Sequence, residues 1–154
     1  MSFRITGLPA DLFTELFLLS DQELAARNVV RRIADTKPGY PCRISLTDAE
    51  PGQQVLLTHF EHHAVATPYR ASHAIYVREG ERTYDAIDQI PTQLRLRLLS
   101  LRAFDGDGMM VGADVIDGPD IETLIERLLG DARAAYLHVH YAKPGCYAAR
   151  IDRA

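Results

Sequence analysis

A chain of 154 residues, 47% of them hydrophobic and 25% charged, falls in the range of one globular domain, and we predict a single domain over residues 1–154. The net charge of −4 and the absence of any Lys/Arg run argue against nucleic-acid binding, which needs a clustered positive field. No apolar stretch suits a secretory signal or a membrane span, so we expect a cytoplasmic protein with no membrane partner and with Cys42 and Cys146 as reduced thiols.

The first quarter of the sequence predicts a short extended start followed by two helices. Leu12, Phe13, Leu16 and Phe17 recur at helical spacing, which predicts a buried helix. Ser20 and Glu23 form a capping-box pattern, and apolar residues continue at helical spacing to Ile33. We therefore expect a second helix that ends before the Lys37-Pro38-Gly39 turn.

The rest of the chain is predicted to form mostly β-strands, with neighbouring strands joined by short turns. Three hairpins are predicted, from residues 42–46 with 55–60, 99–104 with 109–116, and 136–141 with 147–151. A further strand is expected at 73–77, and Pro119 begins an amphipathic helix that stops at Gly130. Together these elements predict an α+β fold, a mostly antiparallel sheet of hairpins with helices packed on one side.

Several stretches carry a family resemblance. They are FRITGLPA, KPGYPCRISLTDAEPG, TPYRASHAIYVREG, LLSLRAFD and AYLHVHYAKPGCYAARID, which between them extend over nearly the whole chain. The sequence resembles the uncharacterised bacterial family named domain of unknown function 1203. The resemblance implies a small stand-alone protein and brings no established activity, so it assigns no catalytic role to any residue.

His138 and His140 are the first candidates for chemistry. Two residues apart on a predicted strand, they project from the same face and could share a metal ion. Zinc needs three or four protein ligands, so a further donor would have to come from His59, Glu61, His62 or Cys146. The alternative is a solvated or hydrogen-bonded histidine face without metal.

Cys146 is the second candidate, as a nucleophile activated by His138 or His140. The register of the last hairpin decides this hypothesis. A loop of about four residues pairs Tyr141 with Cys146 and turns the thiol to the apolar face, whereas about five would pair His140 with Cys146. The alternative is a small buried cysteine without a chemical role.

Arg43 and Arg70 suggest recognition of a small anion, aided by Tyr69 and a turn backbone. Both arginines could equally pair with surface acids such as Asp48 or Glu50. Neither a GxxxxGK[ST] nor a GxGxxG motif occurs, so no nucleotide cofactor is predicted.

These candidates favour a domain that binds a small ligand, an anion or a metal ion, at a polar site. The site residues would be His59, Arg70, His138, His140 and Cys146, with Arg43 and Tyr69 as further ligand contacts. The sequence leaves open whether such a domain is an enzyme. The alternative is a non-enzymatic regulatory or protein-interaction module, in one version a homodimer.

Overall fold

A computed structural model describes all residues, 1–154, and shows nine strands, three short α-helices and three single 3₁₀ turns. The strands are β1 (Phe3–Thr6), β2 (Val30–Ile33), β3 (Gln54–His63), β4 (Ala71–Val77), β5 (Asp85–Ile87), β6 (Leu98–Phe104), β7 (Met110–Asp117), β8 (Tyr136–Tyr141) and β9 (Tyr147–Arg153). The helices are α1 (Asp21–Ala26), α2 (Thr92–Arg95) and α3 (Ile121–Leu129).

The strands form two antiparallel sheets. The larger sheet has six strands in the order β5-β1-β9-β8-β6-β7, and the smaller has three in the order β2-β3-β4. All pairings between named strands are antiparallel, which confirms the predicted mostly antiparallel α+β fold. Two of the predicted hairpins, β6 with β7 and β8 with β9, are present.

The main core lies between the larger sheet and α3. Alternation along β8 sends Leu137, Val139 and Tyr141 to this side, where they join a cluster of 20 buried residues. The helix contributes its predicted stripe of Ile121, Leu124, Ile125, Leu128 and Leu129. Tyr136, His138 and His140 alternate with these residues and therefore face away from α3.

The opposite face of the larger sheet packs against the smaller sheet. Tyr147 on β9 joins a second apolar cluster with Leu56 on β3 and with Ile75 and Val77 on β4. His62 on β3 stacks on the Tyr147 ring at a centroid distance of 5.1 Å. The two sheets thus meet where the histidines of β8 face.

Three predicted elements are wrong. The helix expected over Leu12–Phe17 is a pair of 3₁₀ turns. The second helix ends at Ala26, because Asn28 adopts a left-handed conformation with φ of 57° and redirects the chain into β2. The hairpin expected from residues 42–46 does not form, since β2 and β4 occupy the two edges of β3.

Gly7 holds the segment that carries Arg43 close to β1. A Cβ added at Gly7 would lie 2.1 Å from the carbonyl oxygen of Ile44. We expect Gly7→Ala to lower the free energy of unfolding by about 2 kcal/mol, because the two backbones would have to separate. Urea denaturation measures this loss. Gly106→Ala is the control, as no atom lies within 4 Å of its added Cβ, and an equal loss there would contradict the explanation.

Candidate functional site

The last hairpin settles the position of Cys146. Residues 142–146 connect β8 to β9, and the Tyr141 backbone N–H donates to the Cys146 carbonyl at 2.9 Å, so Tyr141 lies opposite Cys146 and four residues, 142–145, form the turn. His140 is paired with Tyr147 instead. Cys146 therefore joins the core cluster on the side of Tyr141, away from His138 and His140. The structure therefore does not bring the thiol and the imidazoles together, and the four-residue register of the two alternatives applies.

A cavity of about 210 Å³ lies where the two sheets meet and is hereafter the imidazole cavity. Four predicted site residues come together there: Tyr69, Arg70, His138 and His140. The remaining lining residues are His62, His63, Pro68, Ala71, Arg102, Phe104 and Met110. Two of these residues have polar side chains and were not candidates from the sequence, namely His63 and Arg102.

Strand geometry brings the four imidazoles together. His138 and His140 lie on the inner face of β8, and the register of β3 against β4 shifts between Phe60 and His63. Such an irregularity lets neighbouring residues, here His62 and His63, both reach the cavity. The ring centroids of His62 and His140 are 5.0 Å apart, as are those of His63 and His138.

Hydrogen bonds fix two of the rings. His63 Nδ1 donates to the Tyr69 carbonyl oxygen at 2.8 Å, and its Nε2 shares a hydrogen bond of 2.7 Å with the Tyr136 hydroxyl. His140 Nδ1 likewise donates to the Gly145 carbonyl at 3.0 Å, which leaves its Nε2 as an acceptor. An oriented neutral imidazole of this kind can act as a general base.

His138 differs from these two because its Nδ1 is buried and has no hydrogen-bond partner. Only 3% of the residue is exposed. His62 Nδ1 is also without a partner of good hydrogen-bond geometry, although the nearby Phe60 backbone slightly favours the protonated form. Buried polar atoms in native proteins are nearly always paired, so these two nitrogens mark an unusual site.

Burial keeps these imidazoles neutral. It lowers the pKa of His62 to about 4, of His138 to about 2 and of His140 to about 3, and neighbouring imidazoles and Arg102 contribute further. Burial also lowers the pKa of Arg102, and no acidic neighbour offsets that effect. At neutral pH the cavity therefore combines the cationic Arg102 guanidinium with the uncharged rings of His62, His138 and His140.

Arg70 stands at the exposed side of the cavity, where its Nε donates to Glu61 at 2.7 Å. Its charge is thus already matched by a carboxylate. Arg102 makes no such pair, although it lies directly opposite His138 on the neighbouring strand. Arg102 is therefore the stronger candidate for an anion contact.

The expected metal ligands do not assemble. His59 is exposed on β3, with Nε2 2.9 Å from the Ser72 hydroxyl, and it does not line the imidazole cavity. No group of three or more His, Cys, Asp or Glu side chains has the arrangement of a metal site. The set of His138, His140 and His59 is thus not a ligand set in this fold.

A larger cleft of about 740 Å³, hereafter the arginine cleft, contains the other two candidates, Arg43 and Cys146. Arg43 is only 1% exposed and donates to the carbonyls of Tyr147, at 2.7 Å, and Pro41, and to the Cys146 sulfur at 2.8 Å. No imidazole reaches Cys146, so a nucleophilic role would rely on Arg43, and that role stays a prediction. Burial raises the pKa of the other thiol, Cys42, to about 12, which makes it unreactive.

Comparison with known proteins gives a family but no activity. No curated protein and no solved structure matches the chain. None of its helices combines the length and apolar character needed to cross a membrane. A family model matches residues 39–153, a range that includes every residue lining the imidazole cavity and the arginine cleft. The chain belongs to the family described as protein of unknown function (DUF1203).

Proposed function

We propose that this protein binds a small oxyanion in the imidazole cavity. The observation that carries the proposal is the meeting, in one cavity, of an Arg102 guanidinium without an acidic partner and a buried His138 Nδ1 without a hydrogen bond. A bound oxyanion would supply the counter-charge to Arg102 and an acceptor for a protonated His138 Nδ1.

In the free cavity, His138 Nδ1 has no hydrogen bond and the Arg102 guanidinium has no counter-charge. A buried polar atom without a partner costs about 1–3 kcal/mol, and a partly buried cation adds a desolvation penalty of its own. Native proteins accept such costs mainly at functional sites. The cavity volume of about 210 Å³ is below the range of drug-sized pockets, which favours phosphate, sulfate or a short carboxylate.

Neutral imidazoles add a pH dependence to this binding. A bound anion favours the imidazolium form, so the depressed pKa values of His62 and His138 should rise in the complex. Affinity is therefore expected to increase as the pH falls from 7.5 to 6. Sulfate is the better probe, because it keeps its full charge over this range and any pH dependence belongs to the protein.

Titration calorimetry with sulfate and with phosphate tests the proposal. We expect Arg102→Gln to weaken sulfate binding about tenfold or more, because a charge-assisted hydrogen bond is lost. The variant should be at least as stable as the parent without anions, since it removes an uncompensated cation. Arg32→Gln is the control, an exposed strand arginine outside the cavity. Equal sulfate affinity in both variants, or no binding by the parent, would refute the proposal.

The other expectations from the sequence stay predictions. A regulatory or protein-interaction module, with or without a homodimer, and a cytoplasmic location are compatible with the fold. The two cysteines are free and buried, which agrees with a reducing compartment. Light scattering of the purified chain tests the homodimer directly.

A further inference from the structure

The arginine cleft is separate from the imidazole cavity and shares no lining residue with it. It lies at the loop end of the β8–β9 hairpin, where Lys143, Pro144 and Cys146 contribute to its lining. At about 740 Å³ it falls in the size range of pockets for organic ligands. The cleft is lined by both a buried cation and exposed leucines, and these two features define what it can hold.

The cation is Arg43, which is buried at the floor of the cleft. A guanidinium has five N–H donors, and the three hydrogen bonds of Arg43 go to two carbonyls and a sulfur, none of which is a carboxylate. Arg97 lines the same cleft, yet both of its terminal nitrogens donate to Asp48, at 3.0 and 2.6 Å. Arg43 is thus a buried cation of the cleft without a carboxylate partner, whereas Lys143, which is also unpaired, is exposed to solvent.

Both guanidinium groups lie over the Tyr141 ring, with each carbon centre 5.0 Å from the ring centroid. This contact holds the Arg43 guanidinium by its face, and two of its five N–H groups remain without an acceptor. Asp117, the acidic residue of the lining, forms no ion pair with Arg43. Arg43 is therefore the buried charge of the cleft that a bound anion would neutralise.

The rim of the cleft is apolar. Leu96 is 58% exposed and Leu98 is 38% exposed, and the half-buried Leu57 and the exposed Ala74 also line the cleft. Exposed leucines next to a cavity provide a surface that gains free energy when an apolar group covers it. A ligand with its charge at the floor would place its body against this rim.

We propose that the arginine cleft binds an organic acid with an apolar body, whose carboxylate meets Arg43 and whose body covers Leu96 and Leu98. A carboxylate suits the planar fork of a guanidinium and replaces the missing counter-ion. Because Cys146 Sγ also contacts Arg43, the bound acid lies beside the thiol and shields it.

Calorimetry with four probes tests the class of ligand: hexanoate, phenylpropanoate, acetate and hexanol. Each buried methylene is worth about a fourfold gain in affinity, so the better of the two larger acids should bind at least about tenfold more tightly than acetate. Hexanol lacks the charge and should bind more weakly than hexanoate. Whichever of hexanoate and phenylpropanoate binds more tightly shows whether the cleft prefers an acid with an aliphatic chain or one with an aromatic ring. If neither exceeds acetate, the proposal is wrong.

A matched pair of variants locates the site without disturbing Arg43. Leu96→Glu places a negative charge at the rim and should weaken binding of the preferred acid about tenfold or more. Leu12→Glu alters an equally exposed leucine, 55% exposed, that lines neither cavity, and should leave the affinity unchanged. Equal effects of the two variants would overturn the assignment.

Alkylation of Cys146 by iodoacetamide gives a second readout. The preferred acid should slow this labelling, which is measured by peptide mass spectrometry. Cys42, which is fully buried, is the internal reference. Unchanged labelling at saturating acid would place the acid elsewhere. Arg102→Gln should leave binding of the acid intact, so the outcome is separate from that of the oxyanion proposal.

Discussion

Lowering the pH from 7 to 5 is expected to reduce the free energy of unfolding by about 4 kcal/mol, because His138 and His140 are buried as neutral rings. Their folded pKa values are about 2 and about 3, against about 6.5 in an unfolded chain. Below pH 6.5 these two imidazoles therefore become protonated in the unfolded state, whereas they stay neutral in the folded state. His138 and His140 each cost about 2 kcal/mol by pH 5, and the partly exposed His62, whose pKa is lowered to about 4, adds to this loss.

Urea denaturation at pH 7, 6 and 5 measures this loss. His138→Phe should reduce the slope of stability against pH, since the new ring does not titrate and its neighbours Phe104, Tyr136 and Tyr147 are aromatic. His59→Gln, on the exposed surface, should keep the slope of the parent. A parent protein equally stable at pH 7 and pH 5 would show that these rings are not held neutral.

Arg43→Ala is expected to cost about 4 kcal/mol in the free energy of unfolding. The change leaves a cavity in the core and removes the donor to the Tyr147 and Pro41 carbonyls. Arg43→Met fills most of the volume without the hydrogen bonds, so about half of the loss should return. The comparison of the two variants separates packing from hydrogen bonding.

Chemical denaturation at pH 7 gives these values. Arg27→Ala is the matched control, because Arg27 forms an exposed ion pair with Glu15 at 3.0 Å, and its loss should be under about 1 kcal/mol. Arg43 and Arg27 variants of equal stability would mean that the buried guanidinium does not organise the region around Tyr147.

The elements that the sequence predicts best are those with complete local signals. Helix α3 has a periodic apolar stripe and Pro119 before it, and the β8–β9 hairpin has alternating residues on both sides of a Pro-Gly turn. Residues 30–33 carry a misleading signal, since the apolar spacing of Val30 and Ile33 fits a helix. The left-handed Asn28 and pairing with β3 decide otherwise, and both depend on tertiary structure.

The candidate site was predictable in its residue types but not in its grouping. Alternation places His138 and His140 on one face, and the structure agrees. The contribution of His62 and His63 depends on an irregularity in the pairing of β3 with β4, and that of Arg102 depends on the order of strands in the sheet. No short-range pattern encodes either feature. The sequence therefore suggested one site for the thiol and the imidazoles, whereas Cys146 lines the arginine cleft and His138 and His140 line the imidazole cavity.

Tyr147 lies between residues of the two cavities, although it lines neither of them. Its ring stacks on His62 of the imidazole cavity, and its carbonyl oxygen accepts from Arg43 of the arginine cleft. A single residue of β9 therefore supports one group of each compartment, and a substitution that displaces Tyr147 is expected to alter both.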